Sequence, residues 1–373
     1  MLLDLEERDR RYELVRDKMS AMDLDALIVA GNVQIYHKGF VRYLSNYSIL
    51  LYGALIIFPR HGEAKFLAPS PLQEYWTKRL SWIKDVEISP IFGEGLVKNL
   101  KAMGLSKGKL GLINDKIMSA DTYSALIKNC PDATIVDATN ILEQIRMVKS
   151  QKEQQLSRIS AKIADLSFEV LAKIVKPGVA EREVLAEIDR QLSVNGAECI
   201  FHMFSADPNI LFPLLPTERI IQEGDVILMN TELSGPEGYW TQIMRTSFVG
   251  SPKKNVERMY DTLLKIRSQI FNELYPNRKV SDIAKGIRKS ILDAGYDVGV
   301  HFGHCLGLDV VERPLVHLDD ETPLAPGMTI TVHPQLVSRA ENATVIIGDT
   351  FLITDNEPEL LTKTDPLAIK TLG

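Results

Sequence analysis

Cysteine is scarce in this 373-residue chain: Cys130, Cys199 and Cys305 are widely spaced and odd in number. That excludes a disulfide framework and a cysteine-built zinc cluster, and it fits a reducing compartment. No stretch approaches the roughly 18 uninterrupted apolar residues that a membrane span requires. Basic residues never run beyond pairs, and the formal net charge is −6, so the surface is not that of a nucleic-acid-binding protein. The first residues are charged and lack the apolar core of a secretory signal, which predicts a cytoplasmic protein. Low-complexity segments and visible repeats are missing too.

What is present is ordinary globular material, 45% hydrophobic and 25% charged, in a chain long enough for two or three domains. An amphipathic helix is predicted over 6–22, a buried strand over 26–30, and a loop or short helix over 42–48. A strand over 52–58, a turn, a strand over 63–67, a strand from Lys109 and a helix near 119–128 complete an α/β module. Ser150, with Glu153 three positions on, reads as a capping box opening a long helix that Lys176-Pro177-Gly178 stops. The boundary is placed there, giving domains 1–147 and 148–373. The second domain reads as a helix over 181–194, short strands over 198–206 and a proline-rich loop. A strand hairpin, helices over 253–275 and 279–294, and strands over 328–333 and 344–353 follow. The expected class is α+β.

The hairpin organises the candidate chemistry. Its first strand, from Gly224, reads as an apolar run that stops at Asn230-Thr231-Glu232, and its second begins at Gly238-Tyr239-Trp240-Thr241-Gln242. A histidine-rich segment, His301 to His304, lies downstream. Imidazole is the side chain whose ordinary pKa suits proton transfer near neutrality. His202, between Phe201 and Met203, reads as a core or strand-edge residue. Glu232 reads either as a solvated turn carboxylate or as a group that orients an imidazole or accepts a proton. Tyr239 and Trp240 read as core aromatics or as walls of an apolar pocket. His304 and Cys305 are adjacent on a strand and point to opposite faces, which argues against a Cys–His nucleophile pair.

Seven collinear stretches between 143 and 362 resemble the creatinase/aminopeptidase P/methionine aminopeptidase superfamily. They include Val175-Lys-Pro-Gly, Gly238-Tyr-Trp-Thr-Gln-Ile-Met-Arg-Thr, Gly303-His-Cys-Leu-Gly and Gly348-Asp-Thr. The first half resembles the creatinase-type amino-terminal domain more loosely, through Asp23-Leu-Asp-Ala-Leu-Ile-Val and Arg42-Tyr-Leu-Ser-Asn-Tyr. The resemblance implies an α/β amino-terminal domain followed by a pita-bread catalytic domain.

It also implies five metal-ligand positions, which fall on Asn230, Gln242, His304, His333 and Gly348, so every carboxylate of the set is absent. Creatinase, a metal-free relative, matches closely around Asn230-Thr231 and Gly238-Tyr239. On that basis the expectation is a metal-independent, cofactor-free, homodimeric enzyme: a hydrolase of a non-peptide C–N bond, or a lyase. The resemblance implies His304 and His333 as catalytic groups and Asn230, Glu232, Tyr239, Gln242, His301, Glu312 and Arg42 as contacts to a small, possibly anionic substrate. Two alternatives stay open: a metal-dependent Xaa-Pro-type peptidase, and a non-catalytic binding protein on the same fold.

Overall fold

A computed structural model describes residues 3–373, in two compact units that divide between Arg146 and Met147. The first opens with helix α1 (Leu5–Ala21), whose N-terminus is capped by the Asp4 carboxylate accepting from the Glu7 amide. Strand β1 (Ala26–Asn32) and helix α2 (Gly39–Ser45) follow, then β2 (Gly53–Pro59), β3 (Lys65–Ala68), α3 (Pro71–Leu80), β4 (Asp85–Ile88) and α4 (Phe92–Ala102). β5 (Lys109–Ile113), α5 (Ala120–Asn129), β6 (Thr134–Asp137) and α6 (Thr139–Met147) close it. Its six strands form one sheet ordered β4-β3-β2-β1-β5-β6. The continuous apolar runs of β1 and β2 are buried throughout, as strands covered on both faces must be.

The second unit begins with α7 (Gln151–Ile174). Its capping box is formed: the Glu153 amide donates to Ser150 Oγ and the Ser150 amide to Glu153 Oε2. Then come α8 (Glu181–Val194), β7 (Cys199–Asp207), β8 (Val226–Ser234), β9 (Trp240–Val249), α9 (Lys254–Phe271) and α10 (Val280–Asp293). Short strands complete the chain: β10 (Asp297–Val298), β11 (Gly303–Cys305), β12 (Glu312–Leu315), β13 (Thr329–Val332), β14 (Gln335–Ser338), β15 (Ala343–Ile346), β16 (Asp349–Leu352), β17 (Glu359–Leu360) and β18 (Thr371–Leu372). They lie in sheets ordered β18-β9-β8-β7, β12-β11-β13-β16-β17 and β10-β14-β15. Among the described residues no helix is long and apolar enough to cross a membrane.

The β8–β9 hairpin separates two cores. Because side chains alternate along a strand, Ile227, Met229, Leu233 and Ile243 join the core of α7 and α8. Val226, Leu228, Met244 and Phe248 join the core of α9, α10, β13 and β15. Asn230, Glu232 and Gln242 share the parity of this second set.

Two sequence expectations change here. β8 does not stop at Asn230-Thr231-Glu232 but continues to Ser234, so these residues are mid-strand and buried. Their side chains bond to one another, to Gln242 of β9 and, from Thr231, to Ser167 of α7, which lets a polar triplet sit where an apolar run was expected. The strand predicted over 344–353 is two strands, broken at Ile347-Gly348, where Gly348 leaves its own ladder and pairs with Met244 of β9.

Candidate active site

Two polar clusters stand on the α9/α10 side of the hairpin. The first is built by register. Glu232 lies opposite Gln242, and Asn230 is two residues before Glu232 on the same face. Gln242 Nε2 donates to Glu232 Oε1 at 2.7 Å and to Asn230 Oδ1 at 3.2 Å, while Asn230 Nδ2 donates to Glu232 Oε1 at 2.8 Å. Glu232 is therefore a buried mid-strand carboxyl held between two amides, not a solvated turn residue. Burial pushes its pKa up to about 7, and the Asn230 hydrogen bond only partly opposes this. Gln242 Oε1 is buried without a hydrogen-bond partner.

The second cluster is three imidazoles. Ring centroids of His301 and His333 are 4.8 Å apart, those of His304 and His333 5.8 Å, and those of His301 and His304 6.0 Å. The β11–β13 pairing produces this, since the His333 amide donates to the Phe302 carbonyl just beyond the register of Gly303 with Val332. His304 and His333 are buried, and His301 is exposed. His304 Nδ1 is 3.0 Å from the Cys305 carbonyl, which can only accept, so Nδ1 carries the hydrogen and Nε2 the lone pair. Burial pulls His304 down to about 4, against the pull of that hydrogen bond, so the ring is neutral at pH 7. Burial, then the neighbouring His301 and His304, hold His333 well below the usual histidine range, and its Nε2 has no partner. The two clusters are linked through Met244, which pairs with Asn230 and exchanges backbone hydrogen bonds with Gly348. Gly348 in turn lies against His333.

Two expected contacts lie elsewhere. Tyr239 has the opposite parity from Gln242, and its hydroxyl donates to Glu153 Oε1 at 2.6 Å, beneath the α7 cap. Glu312 faces Lys149, 3.1 Å from Nζ, and accepts from the Asp309 amide, so it braces a loop. Arg42 belongs to the first unit, in α2. Burial explains Tyr239 and Glu312: a buried carboxylate recruits a cation or an amide, and a buried phenol recruits an acceptor. Lys149, which sequence reasoning passed over, is more than 160 residues from Glu312 and gave no local signal.

The residues at the five ligand positions do not fit a pair of hard divalent cations. Such ions require anionic oxygens, and Asn230 and Gln242 instead turn N–H groups toward Glu232. At Gly348 a Cβ would come 2.7 Å from His333 Cβ and 3.0 Å from Met244 Cβ, so no longer side chain has room there.

Comparison with known proteins fixes the lineage. Residues 11–148 match the creatinase/prolidase N-terminal domain, and residues 155–355 match metallopeptidase family M24. An Xaa-Pro dipeptidase of Pyrococcus horikoshii is 27% identical, covering 96% of this chain and 98% of its own. An uncharacterized hydrolase/peptidase of Sinorhizobium fredii is also 27% identical, over 95% and 94%. The crystal structure of the prolidase from Pyrococcus horikoshii superposes with a TM-score of 0.84 at 26% identity, covering 95% of this chain and 99% of that one.

These matches correct the functional expectation. The family is one of metallopeptidases and the relatives of named activity are Xaa-Pro dipeptidases, which overturns the metal-independent, non-peptide hydrolase or lyase inferred from local likeness to creatinase. That local likeness rests on a few residues, whereas these relatives align end to end. The fold is the creatinase-type amino-terminal domain plus the pita-bread domain, and the chain belongs to metallopeptidase family M24.

Proposed function

We propose that this chain takes short Xaa-Pro-type peptides as its substrates and hydrolyses them at the clusters of the second unit. The observation that carries this reading is its end-to-end similarity to Xaa-Pro dipeptidases. The residues supply part of the chemistry. Amide hydrolysis needs a group that accepts a proton from attacking water and returns it to the leaving nitrogen. Glu232, with its pKa pushed up to about 7, is suited to both steps at neutral pH. The Gln242 Oε1 atom and the His304 Nε2 lone pair are acceptors, so they favour N–H and ammonium groups of a peptide over its carboxylate. The expected preference for anionic substrates is accordingly replaced.

A second reading, peptide binding without turnover, is favoured by one observation: the donor set at the five ligand positions does not suit hard cations. One experiment separates the two. Proline release from a panel of Xaa-Pro dipeptides is measured with the full chain supplied with divalent cations, beside calorimetric titration of the same peptides. Turnover that falls about 100-fold or more in Glu232→Gln, with KM little changed, supports hydrolysis assisted by Glu232. Binding without release supports the second reading, and neither binding nor release refutes both.

A further inference from the structure

A peptide bond presents a carbonyl oxygen as well as a nitrogen, and that oxygen has to meet a donor. The acceptors Gln242 Oε1 and His304 Nε2 cannot serve it. We infer, resting on the peptide reading above, that Thr331 is a further substrate-contacting residue of this site, its hydroxyl donating to the scissile carbonyl oxygen.

Register puts Thr331 where the two clusters meet. It lies opposite His304 of β11 on one side and opposite Thr350 of β16 on the other, and His333 is two residues further on. Directly opposed residues share a face of the sheet, so His304, Thr331 and Thr350 form one row. Thr350 carries the row to the first cluster: its Oγ1 accepts from the Gln242 amide at 3.1 Å and donates to the Gln242 carbonyl at 2.7 Å. Ile330 and Val332, of the other parity, join the apolar core instead. Thr331 is fully buried, and its Oγ1 has no hydrogen-bond partner. Valine would take the same shape there without leaving a polar atom unanswered.

Location matters here as much as the unanswered hydroxyl, as Thr329 shows. Its Oγ1 is buried and unpartnered too, but it lies opposite Leu352, which packs with Ala161 and Leu361 away from the imidazoles. The reaction gives Thr331 its task. As a water oxygen bonds to the carbonyl carbon, the C=O π pair moves onto the carbonyl oxygen. Glu232 takes a proton from that water and returns one to the nitrogen as the C–N bond breaks and the C=O bond re-forms. In between, the carbonyl oxygen carries negative charge and accepts a hydrogen bond more strongly. A hydroxyl already in place and shielded from bulk water therefore stabilises that state more than the bound peptide, so its contribution falls mainly in kcat.

The test uses the full chain supplied with divalent cations, the best-bound Xaa-Pro dipeptide of the panel, and its thioxo counterpart, in which sulfur, a weak acceptor, replaces the scissile carbonyl oxygen. Thr331→Val should lower kcat for proline release about 100-fold while raising KM no more than about fivefold. Thr331→Ser, which keeps the hydroxyl, should recover kcat to within about tenfold of the parent, and Thr329→Val should leave it unchanged. By calorimetry the parent should bind the dipeptide about fivefold more tightly than the thioxo form, and Thr331→Val should lose that preference. This second measurement decides the matter even if binding occurs without turnover. The denaturation midpoint of Thr331→Val should not fall, since no hydrogen bond is lost from the fold. Unchanged kcat in Thr331→Val, an equal loss in Thr331→Ser or Thr329→Val, a midpoint that falls with kcat, or an oxygen preference absent from the parent or surviving in Thr331→Val would each overturn the inference. In all of these the parent still takes the peptides, so the peptide reading stands. A parent that neither binds nor hydrolyses any dipeptide refutes that reading and the role of Thr331 with it.

Discussion

Two histidines of the second unit are almost equally buried, His202 at 6% and His333 at 4% exposure, yet their surroundings differ completely. His202 stands on β7 opposite Thr231, facing the α7/α8 core. Its Nδ1 is 3.1 Å from Thr231 Oγ1, which in turn donates to Ser167 Oγ of α7. Its Nε2 lies 3.0 Å from Asp189 Oδ1, a close contact that is not aligned as a hydrogen bond. His333, on the other side of the hairpin, has an Nε2 with no partner at all. Burial therefore does not separate these two histidines; what does is the hydroxyl and the carboxylate that face the His202 ring, which His333 Nε2 lacks. A buried polar atom left unanswered costs on the order of 1–3 kcal/mol, and a fold tolerates it where a ligand will answer it.

The same division cuts between consecutive residues, which permits the largest test. Gly348 lies bare against His333, whereas the Asp349 carboxylate accepts from Arg245 Nη2 at 2.7 Å, Arg267 Nε at 2.6 Å and Thr362 Oγ1 at 3.2 Å. Arg245 is fully buried, so Asp349→Ala leaves a desolvated guanidinium without its carboxylate. The expected loss is about 3–5 kcal/mol by chemical denaturation. An unchanged midpoint would mean that Asp349 does not belong to the scaffold.

The histidine pair itself gives a double dissociation of smaller size. In His333→Leu, stability should hold or rise by about 1 kcal/mol, because an unanswered polar atom is replaced by hydrocarbon. Peptide turnover or ligand affinity should nevertheless fall at least about 100-fold. His202→Leu should do the reverse, losing about 1–3 kcal/mol as Thr231 and Asp189 lose the imidazole that faces them, with function at a permissive temperature little altered. Equal destabilisation by the two substitutions would erase the contrast.

Much of this was legible in the sequence, within definite limits. The capping box at Ser150 and Glu153, the helix over 181–194 and the α+β class follow from local chemistry, and local chemistry decided them. Alternation along the hairpin places Asn230, Glu232 and Gln242 on one face. What alternation cannot supply is partners. The polar triplet reads as a strand end only if its hydrogen bonds are assumed to go to water, and they go instead along β8, to β9 and to α7. Glu312 looked free because Lys149 is remote in sequence, and Tyr239 because Glu153 is. The break at Gly348 comes from packing against His333 and Met244, which no periodicity encodes. Local likeness to creatinase misled for the same reason: a handful of matched positions carries less weight than collinearity over the whole chain.

The smallest effect tests the other cluster through pH. Burial raises the Glu232 carboxyl to about 7 from an ordinary 4.5, so between those values the folded chain holds a proton that the unfolded chain has released. Stability from this group is therefore full below about pH 4.5 and falls as pH rises to 7. His304, pulled down to about 4 from 6.5, works in the opposite sense: the unfolded chain takes up the proton first, so its contribution is lost as pH falls from 6.5 toward 4. The two oppose each other between about pH 4.5 and 6.5. Glu232→Gln keeps an oxygen acceptor for the Asn230 and Gln242 amides while removing the titration. The Glu232 shift corresponds to a ceiling of about 3 kcal/mol, and relaxation around the new charge reduces this to about 1–2 kcal/mol. The variant should accordingly match the parent near pH 4.5, exceed it by that amount at pH 8, and lose stability more steeply than the parent on acidification from pH 6.5. Denaturation curves at pH 4.5, 6 and 8 measure the difference. A gap that stays constant across the three would mean that Glu232 is already ionised in the folded chain and that its two amide neighbours, not burial, govern it.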